Sequence, residues 1–474
     1  MGNAPEISSL DRGASGYDVV VCGGGSTGIA AAIAAANHGA HTLLIEYSGC
    51  VGGASSFIPG WLGFHALDGK PVVAGEPLRL LEALRRRGGA TPFYHDPICG
   101  SVTGINNHWW KIVALQELEN AGVDLMLRAD LNGVERTGRR ITGVVISTGG
   151  GSRRIPCRQL IDCTDSGVVA ALAGERQSWG RSQDHKVQAS SWVFSVGNIN
   201  FEELYRYFLS NPEQLRPFRL NDPVGHIRTI RDVDAFVMGA FEQLIREASS
   251  RGMKLPRVNM PGIAFPKEKR MVSVATRLES VDPRDPLRLG RATMEGAGQV
   301  GLWLSFLREM VPGFASCILI DTPKIIGMRE TAHLTGRYTL TAEDLLTGRM
   351  FDDAIALGAY HMDIHSPDHK GLETRRVPIY SIPFRSLLGV ENDNFAAAGR
   401  TISATHEANS STRVIPIAMA TGEAAGTAAA LACRGRIGLA DVDRALLRET
   451  LRESGVKLDM QEDLTRKNHG RKAS

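Results

Sequence analysis

Cysteine is scarce and irregularly placed: seven residues (22, 50, 99, 157, 163, 317 and 433), an odd number with no C-x-x-C pair. That argues against a disulfide framework, a zinc knuckle or a dithiol redox centre. Most of the seven read as small buried hydrophobes, and Cys50, set among glycines just after Glu46, is the one candidate for a reactive thiol. An excess of one charge is also missing, since 54 Lys and Arg face 51 Asp and Glu, and part of the surplus lies in the basic tail Leu464–Ser474, which reads as solvated and mobile. No broad nucleic-acid surface follows from such a balance. The start of the chain lacks a basic segment leading into an apolar core, and no run approaches the ~20 apolar residues of a membrane span. Glu6 stands where a myristoylation motif wants Ser or Thr. The expected location is therefore cytoplasmic, with neither a membrane span nor a nucleic-acid partner. Metal-ligand patterns are sparse too: His361-x-Asp363-x-His365 would align three side chains along a strand, but no fourth ligand accompanies them and no metal is assigned.

What is present is an ordinary globular composition, 43% hydrophobic and 22% charged over 474 residues, enough for two or more domains. Its organising stretch is Tyr17-Asp-Val-Val-Val-Cys-Gly-Gly-Gly-Ser-Thr-Gly28, followed by an alanine-rich segment and His41-Thr-Leu-Leu-Ile-Glu46. The short β-branched run Val19–Cys22 reads as a strand buried on both faces, running straight into glycine. In the G-x-G-x-x-G spacing Gly23 permits a tight turn, Gly25 lets backbone approach a pyrophosphate, and Gly28 lets a helix pack closely on the strand. The helix N-terminus then offers free N–H groups and a favourable dipole to the anion. Residues 29–37 are nearly all alanine, and His38-Gly39 stops the helix. Glu46 ends the second strand about 20 residues past the glycines, placed to accept hydrogen bonds from an adenosine ribose. Strand, helix, second strand and acid fall in register, which indicates a dinucleotide site and leaves FAD or NAD open.

Further along, Gly49–Gly60 reads as a loop close to a ligand. Helices are expected over Pro77–Arg87 and Asn107–Asn120, and a strand over Val123–Leu127. Leu131–Arg136, Ile141–Ser147 and Arg154–Arg158 read as an antiparallel meander, where a plain NAD dehydrogenase would continue βαβ. From about 190 to 390 the pattern is mixed, with helical pieces at Phe201–Leu209 and Val233–Ser250, and no second G-x-G-x-x-G followed by an acid; this third suits a substrate cover. The strand Phe395–Ala398 then meets a Gly-Arg turn, and Pro416 is well placed to begin a long helix of small side chains that packs on a sheet and points its N-terminus at a ligand.

These pieces together resemble the FAD-dependent oxidoreductase family, related to the glutathione-reductase-type flavoproteins. The resemblance rests on Gly23-x-Gly25-x-x-Gly28 with Glu46, Gly52-Gly53, Asp162-Cys-Thr-Asp165, Arg329-Glu330 leading to Gly336–Thr341, and Asp363-Ile-His365. The C-terminal block, Ala398-Gly-Arg-x-Ile-Ser-Ala-Thr-His-Glu-Ala408 with Arg413-Val-Ile-Pro and Ala420–Gly426, is its most specific part. It implies an α/β fold: a discontinuous Rossmann-like FAD-binding domain with parallel sheet, helices and β-meander, and an inserted α+β cap. The corresponding division is 15–60, 101–190 and 391–435 for FAD, 61–100 as an insertion, 191–390 as the cap, and 436–474 as a terminal helix and tail. Around FAD the resemblance places Gly23, Gly25, Ser26, Thr27 and Gly28; Glu46, Tyr47, Gly52, Gly53, Ala54 and Ser55; Thr164 and Asp165; and Gly399, Arg400, Arg413, Val414 and Pro416. Two departures stand out, Ala332-His333 in place of a basic pair and Glu423 in place of Gln near the helix expected to face the flavin.

The implied reaction is hydride transfer between a small polar metabolite and the flavin N5, by a dehydrogenase or oxidase, with a helix N-terminus near Pro416 stabilising the negative charge gained by the ring. His406 is the first choice for the base that takes the accompanying proton; His365 and His361 follow, with Asp363 or Glu407 as orienting partners. Arg413 adds to the field or binds an anionic substrate. Net non-redox chemistry on FAD, or a flavin-binding subunit that needs a redox partner, are the alternatives, and the electron acceptor and a homo-oligomeric state stay open.

Overall fold

A computed structural model describes residues 16–216, 222–368 and 371–460. Glu6 and the basic tail lie outside the described residues.

The buried apolar run Tyr17–Cys22 forms β1 and turns through glycine into α1 (Ser26–Asn37), after which β2 (Thr42–Glu46) lies parallel to β1. Helices α2 (Glu76–Arg86) and α3 (Asn107–Asn120) follow close to where the periodicity expects them; the Asn106 side chain caps α3 by accepting from the His108 and Trp109 N–H groups. Next, β3 (Asp124–Leu127) joins the free side of β2, and β4 (Asp130–Thr137), β5 (Arg140–Thr148) and β6 (Gly151–Asp162) run as the meander. The strand β6 is shared between two arrangements. Its first half, polar and largely exposed, pairs antiparallel with β5; from Cys157 onward it is mostly buried and pairs parallel with β1 on one side and with Phe395–Ala397 on the other. The resulting order β3-β2-β1-β6-β5-β4 makes one sheet from both patterns.

Residues 194–321 build a separate six-stranded sheet of antiparallel pairs, with its own core around Phe194, Phe208, Phe236, Phe241, Trp303 and Phe314. Here one expectation fails. The segment Val233–Ser250 is not a single helix but a strand, Phe236–Ala240, followed by a helix, Glu242–Ser250. Phe236, Met238 and Ala240 are buried and Val237 and Gly239 are not, a period of two that a helix cannot satisfy. The 25-residue helix α4 (Pro286–Met310) was not legible in the periodicity because Gly290, Gly296, Gly298 and Gly301 dilute it, although Asp285-Pro286 is a cap followed by a first-turn proline.

Residues 332–388, grouped with the cover in the sequence reading, pack largely into the first core, where Leu340, Tyr360, Tyr380 and Leu388 join Val19 and Ile29. This part includes β7 (Met362–Ile364), against which α5 (His406–Thr412) packs before α6 (Ile415–Gly435) begins. Contrary to the sequence reading, α6 is long and apolar enough to cross a membrane, but nearly all of it is buried inside the protein. Its main partner is α1 rather than the sheet. A Cβ on Gly422 would lie 2.3 Å from the Thr27 carbonyl oxygen, and one on Gly426 2.0 Å from that of Ala31, so the two helices touch backbone to backbone.

Candidate functional site

The parallel strands β1, β2, β6 and Phe395–Ala397 all end at one edge of the sheet, where ligands of such folds bind. The three motif glycines there have different physical reasons. Gly23 has φ +104°, and a Cβ on it would sit 2.5 Å from the Cys163 carbonyl oxygen; a Cβ on Gly28 would sit 1.8 Å from the Gly23 oxygen. Packing inside the protein explains both. Gly25 is different, because its φ of −71° suits any residue and the nearest atom to a Cβ there is the Gly53 Cα at 3.9 Å. What its missing side chain keeps open is space outside the protein's own atoms, at the N-terminus of a helix that carries no side-chain cap. A pyrophosphate fits that cradle.

The Gly52-Gly53 loop closes over this turn. The Gly52 N–H donates to the Gly24 carbonyl at 2.8 Å, and the Ser26 and Ser55 hydroxyls are 2.7 Å apart. Glu46 is fixed by backbone, accepting from the Gly24 N–H at 2.7 Å and the Ser48 N–H at 2.8 Å. Gly23, Gly25, Ser26, Gly28, Glu46, Gly52, Gly53 and Ser55 are therefore brought together at the start of α1. Ala54 and Tyr47 are exposed beside them. Thr27 instead faces Gly399 and Gly422 in the helix contact, and Thr164 donates to the buried Asp162. Asp165 pairs with Arg400 at 3.6 Å. At the other end, Gly399 donates its N–H to the Thr421 hydroxyl, Val414 caps α6, and Pro416 is the second rather than the first helical residue.

Glu423 points elsewhere than expected. Its carboxylate accepts from the Glu76 N–H at 3.0 Å, at the N-terminus of α2, so it serves a helix start instead of altering charge beside the ring helix. Burial, helped by the nearby Glu76 carboxylate, pushes its carboxyl well above the usual range. A folded-state value raised above 4.5 means that Glu423 subtracts stability as pH rises from there. Glu423→Gln should remove that decline and be more stable at neutral pH by on the order of 1 kcal/mol, read from melting curves across pH.

The histidines fall into two groups. His406 Nδ1 lies 2.7 Å from Glu330 Oε2, and His333 Nε2 lies 2.9 Å from Glu330 Oε1, all three buried. Burial works to raise the Glu330 carboxyl, but the hydrogen bonds from His333 and His406 outweigh it and bring the value down to about 2. An ionised carboxylate only accepts, so His406 carries a proton on Nδ1, and Nε2 is left as the nitrogen that can exchange a proton. Neither Asp363 nor Glu407 orients His406; Glu330 does. Because the folded value is depressed, the stability contributed by ionised Glu330 is complete above pH 4.5 and lost as pH falls toward 2. Denaturant unfolding should show the advantage of the native protein over Glu330→Gln shrinking across that window.

His365 has both nitrogens engaged. Nε2 is 3.4 Å from Asp363 Oδ2 and Nδ1 is 3.3 Å from Arg257 Nη2; since a guanidinium can only donate, Nδ1 accepts. Burial, then Arg329, holds this imidazole well below its ordinary range, so it is neutral. Arg413 donates to the Asp363 carbonyl at 3.0 Å and to its carboxylate at 3.1 Å. His361 Nδ1 meets the Ile98 carbonyl at 3.1 Å. Gln188 links the two groups, its N–H donating to Glu330 and its side-chain oxygen accepting from the His365 N–H. Arg257, Arg277 and Gln188 escape sequence reasoning, because a buried arginine looks like a surface one until the chain is folded. The Arg329-Glu330 pair was visible only as part of the resemblance.

A family model described as FAD dependent oxidoreductase matches residues 18–451. Among solved structures the chain is similar to a geranylgeranyl bacteriochlorophyll reductase-like protein from Thermoplasma acidophilum, with 13% identity over 92% of this chain and 83% of that one, at TM-score 0.47. It is also similar to p-nitrophenol 4-monooxygenase PnpA from Pseudomonas putida, with 10% identity over 95% and 92% of the two chains, at TM-score 0.48. The myxobacterial chondrochloren halogenase CndH shares 14% identity over 92% of this chain and 78% of its own, at TM-score 0.45. Likeness at these identities carries no activity across.

Proposed function

Because the chain belongs to the FAD-dependent oxidoreductase family, we propose that it is a dehydrogenase or oxidase that removes hydride from a C–H next to oxygen or nitrogen in a small polar metabolite. FAD, when bound, supplies the two-electron acceptor. The start of α1, with Gly25, Gly52 and Gly53, would hold the pyrophosphate, and Glu46 the ribose. The N-terminus of α6 would supply a positive field at the other end of the site, beside Arg413, which is itself paired with Asp363.

The observation that carries the reading is the Glu330–His406 pair. Glu330 fixes the His406 tautomer, and the free Nε2 lone pair takes the proton released as hydride leaves the substrate. His365 is the weaker choice for this role, since Arg257 and Asp363 occupy both of its nitrogens; it orients Asp363, which in turn holds Arg413.

The test is the visible spectrum of the purified holoenzyme before and after anaerobic addition of pooled metabolites. Bleaching of the oxidised bands by one pool is expected. Product formed stoichiometrically without acceptor, and without bleaching, would replace this reading by the non-redox one; bleaching only with an added protein donor would replace it by the partner-dependent one.

A further inference from the structure

Outside the FAD cradle and the Glu330–His406 pair, the most unusual chemistry in the molecule is a set of buried arginines at the seam between the two cores. Arg257 and Arg277 come from the six-stranded-sheet region, Arg329 from the connection back to the first core, and Arg413 from the junction of α5 and α6. Arg257, Arg277 and Arg329 are only 3%, 4% and 8% exposed, where arginine is almost never found unless paired. They crowd one another: burial, then Arg257 and Arg413, holds the Arg329 guanidinium well below its ordinary range, and burial with Arg277 lowers that of Arg257 to about 10.

The protein neutralises this cluster incompletely. Asp363 pairs with Arg413 and with neutral His365, and Glu279, more than half exposed, pairs with Arg277 at 2.9 Å. Glu330 follows Arg329 in sequence, but its oxygens are taken by His333, His406 and the Gln188 N–H. Among the described residues, four guanidiniums thus face two carboxylates. The remaining donors go to neutral oxygens: Arg329 Nη1 to the Ala189 carbonyl and Ser191 hydroxyl, Arg257 Nε to the Thr276 carbonyl, and Arg277 Nη2 to the Ser366 carbonyl. Arg413 Nε and Arg277 Nη1 are buried with no partner among the described residues. Leaving buried cations and donors uncompensated is costly, and a ligand oxyanion with several lone pairs would satisfy both deficits at once.

We propose that the substrate is an anion, and that a carboxylate or other oxyanion group on it docks against Arg257, Arg277, Arg329 and Arg413. This rests on the oxidoreductase reading and narrows the small polar metabolite to an organic acid or phosphorylated compound. Anchoring through planar forks fixes orientation as well as affinity, which is what hydride removal from one particular C–H requires.

The test titrates the FAD-loaded enzyme at constant ionic strength with acetate, succinate, citrate and inorganic phosphate, beside the neutral acetamide and succinamide. Binding is read from displacement of the oxidised-flavin bands and from melting temperature, without turnover. At least one oxyanion should bind while its uncharged counterpart does not. Arg257→Gln and Arg329→Gln should weaken that binding on the order of 10- to 100-fold with flavin content retained. Arg257→Lys, which keeps the charge and loses the fork, covers the case in which Arg257→Gln does not fold, and should weaken binding less. Preference for phosphate over the carboxylates supports the anion site and assigns a phosphorylated substrate. Amides binding as well as acids, no oxyanion binding to the loaded enzyme, or variants binding as the native enzyme does would each overturn the proposal. Failure of bleaching with every metabolite pool sinks the hydride-transfer reading and leaves this binding result standing.

Discussion

Gly25→Val is expected to give a folded protein that no longer retains FAD. The backbone at Gly25 is already in a region open to any residue, and nothing in the protein comes nearer than 3.9 Å to a Cβ there, so the apoprotein should melt close to the native apoprotein. A branched side chain would nevertheless project into the cradle at the α1 N-terminus. Flavin affinity should fall at least 100-fold, about 2.8 kcal/mol, measured as flavin-to-protein ratio after dialysis against an FAD series. Gly28→Val is the contrasting variant. Its Cβ would lie 1.8 Å from the Gly23 oxygen, so it should lose the fold rather than the cofactor alone. A Gly25→Val protein with full flavin content would refute the placement of the pyrophosphate.

The second large effect is expected at Glu330 and His406. His406→Asn removes the proton acceptor, and Glu330→Gln turns one acceptor oxygen into an N–H donor, which would face His406 Nδ1 or His333 Nε2. An amide nitrogen toward His406 forces its proton onto Nε2, where it blocks the base. The rate of flavin bleaching in single turnover should drop on the order of 10²- to 10⁴-fold in both, with FAD content unchanged. Glu330 acts through His406, so its role is read from the pH profile: the low-pH limb should shift in Glu330→Gln and be largely restored in Glu330→Asp. Native bleaching rates in Glu330→Gln would remove Glu330 and His406 from the mechanism.

The part of the structure that the sequence determined by itself is the part whose residues act on near neighbours. Gly28 meets the Gly23 oxygen within six residues, and Glu46 reaches the same turn from the next strand, so spacing reports this geometry, whereas the Cys163 carbonyl that excludes a side chain at Gly23 comes from the end of a distant strand. The meander and the small-residue helix Ile415–Gly435 were legible for the same reason, although the partner of that helix, α1, was not. Tertiary structure decided whatever depends on contacts between distant segments. The partner of His406 is 76 residues away, and that of His365 in the other core is 108 away. The strand at Phe236–Ala240 also belongs here, since its alternating burial exists only once a second core forms beneath it. Burial is what turns Arg257, Arg277 and Arg329 from ordinary surface-type cations into an anion site, because a guanidinium acquires its need for a counter-charge only when water is removed.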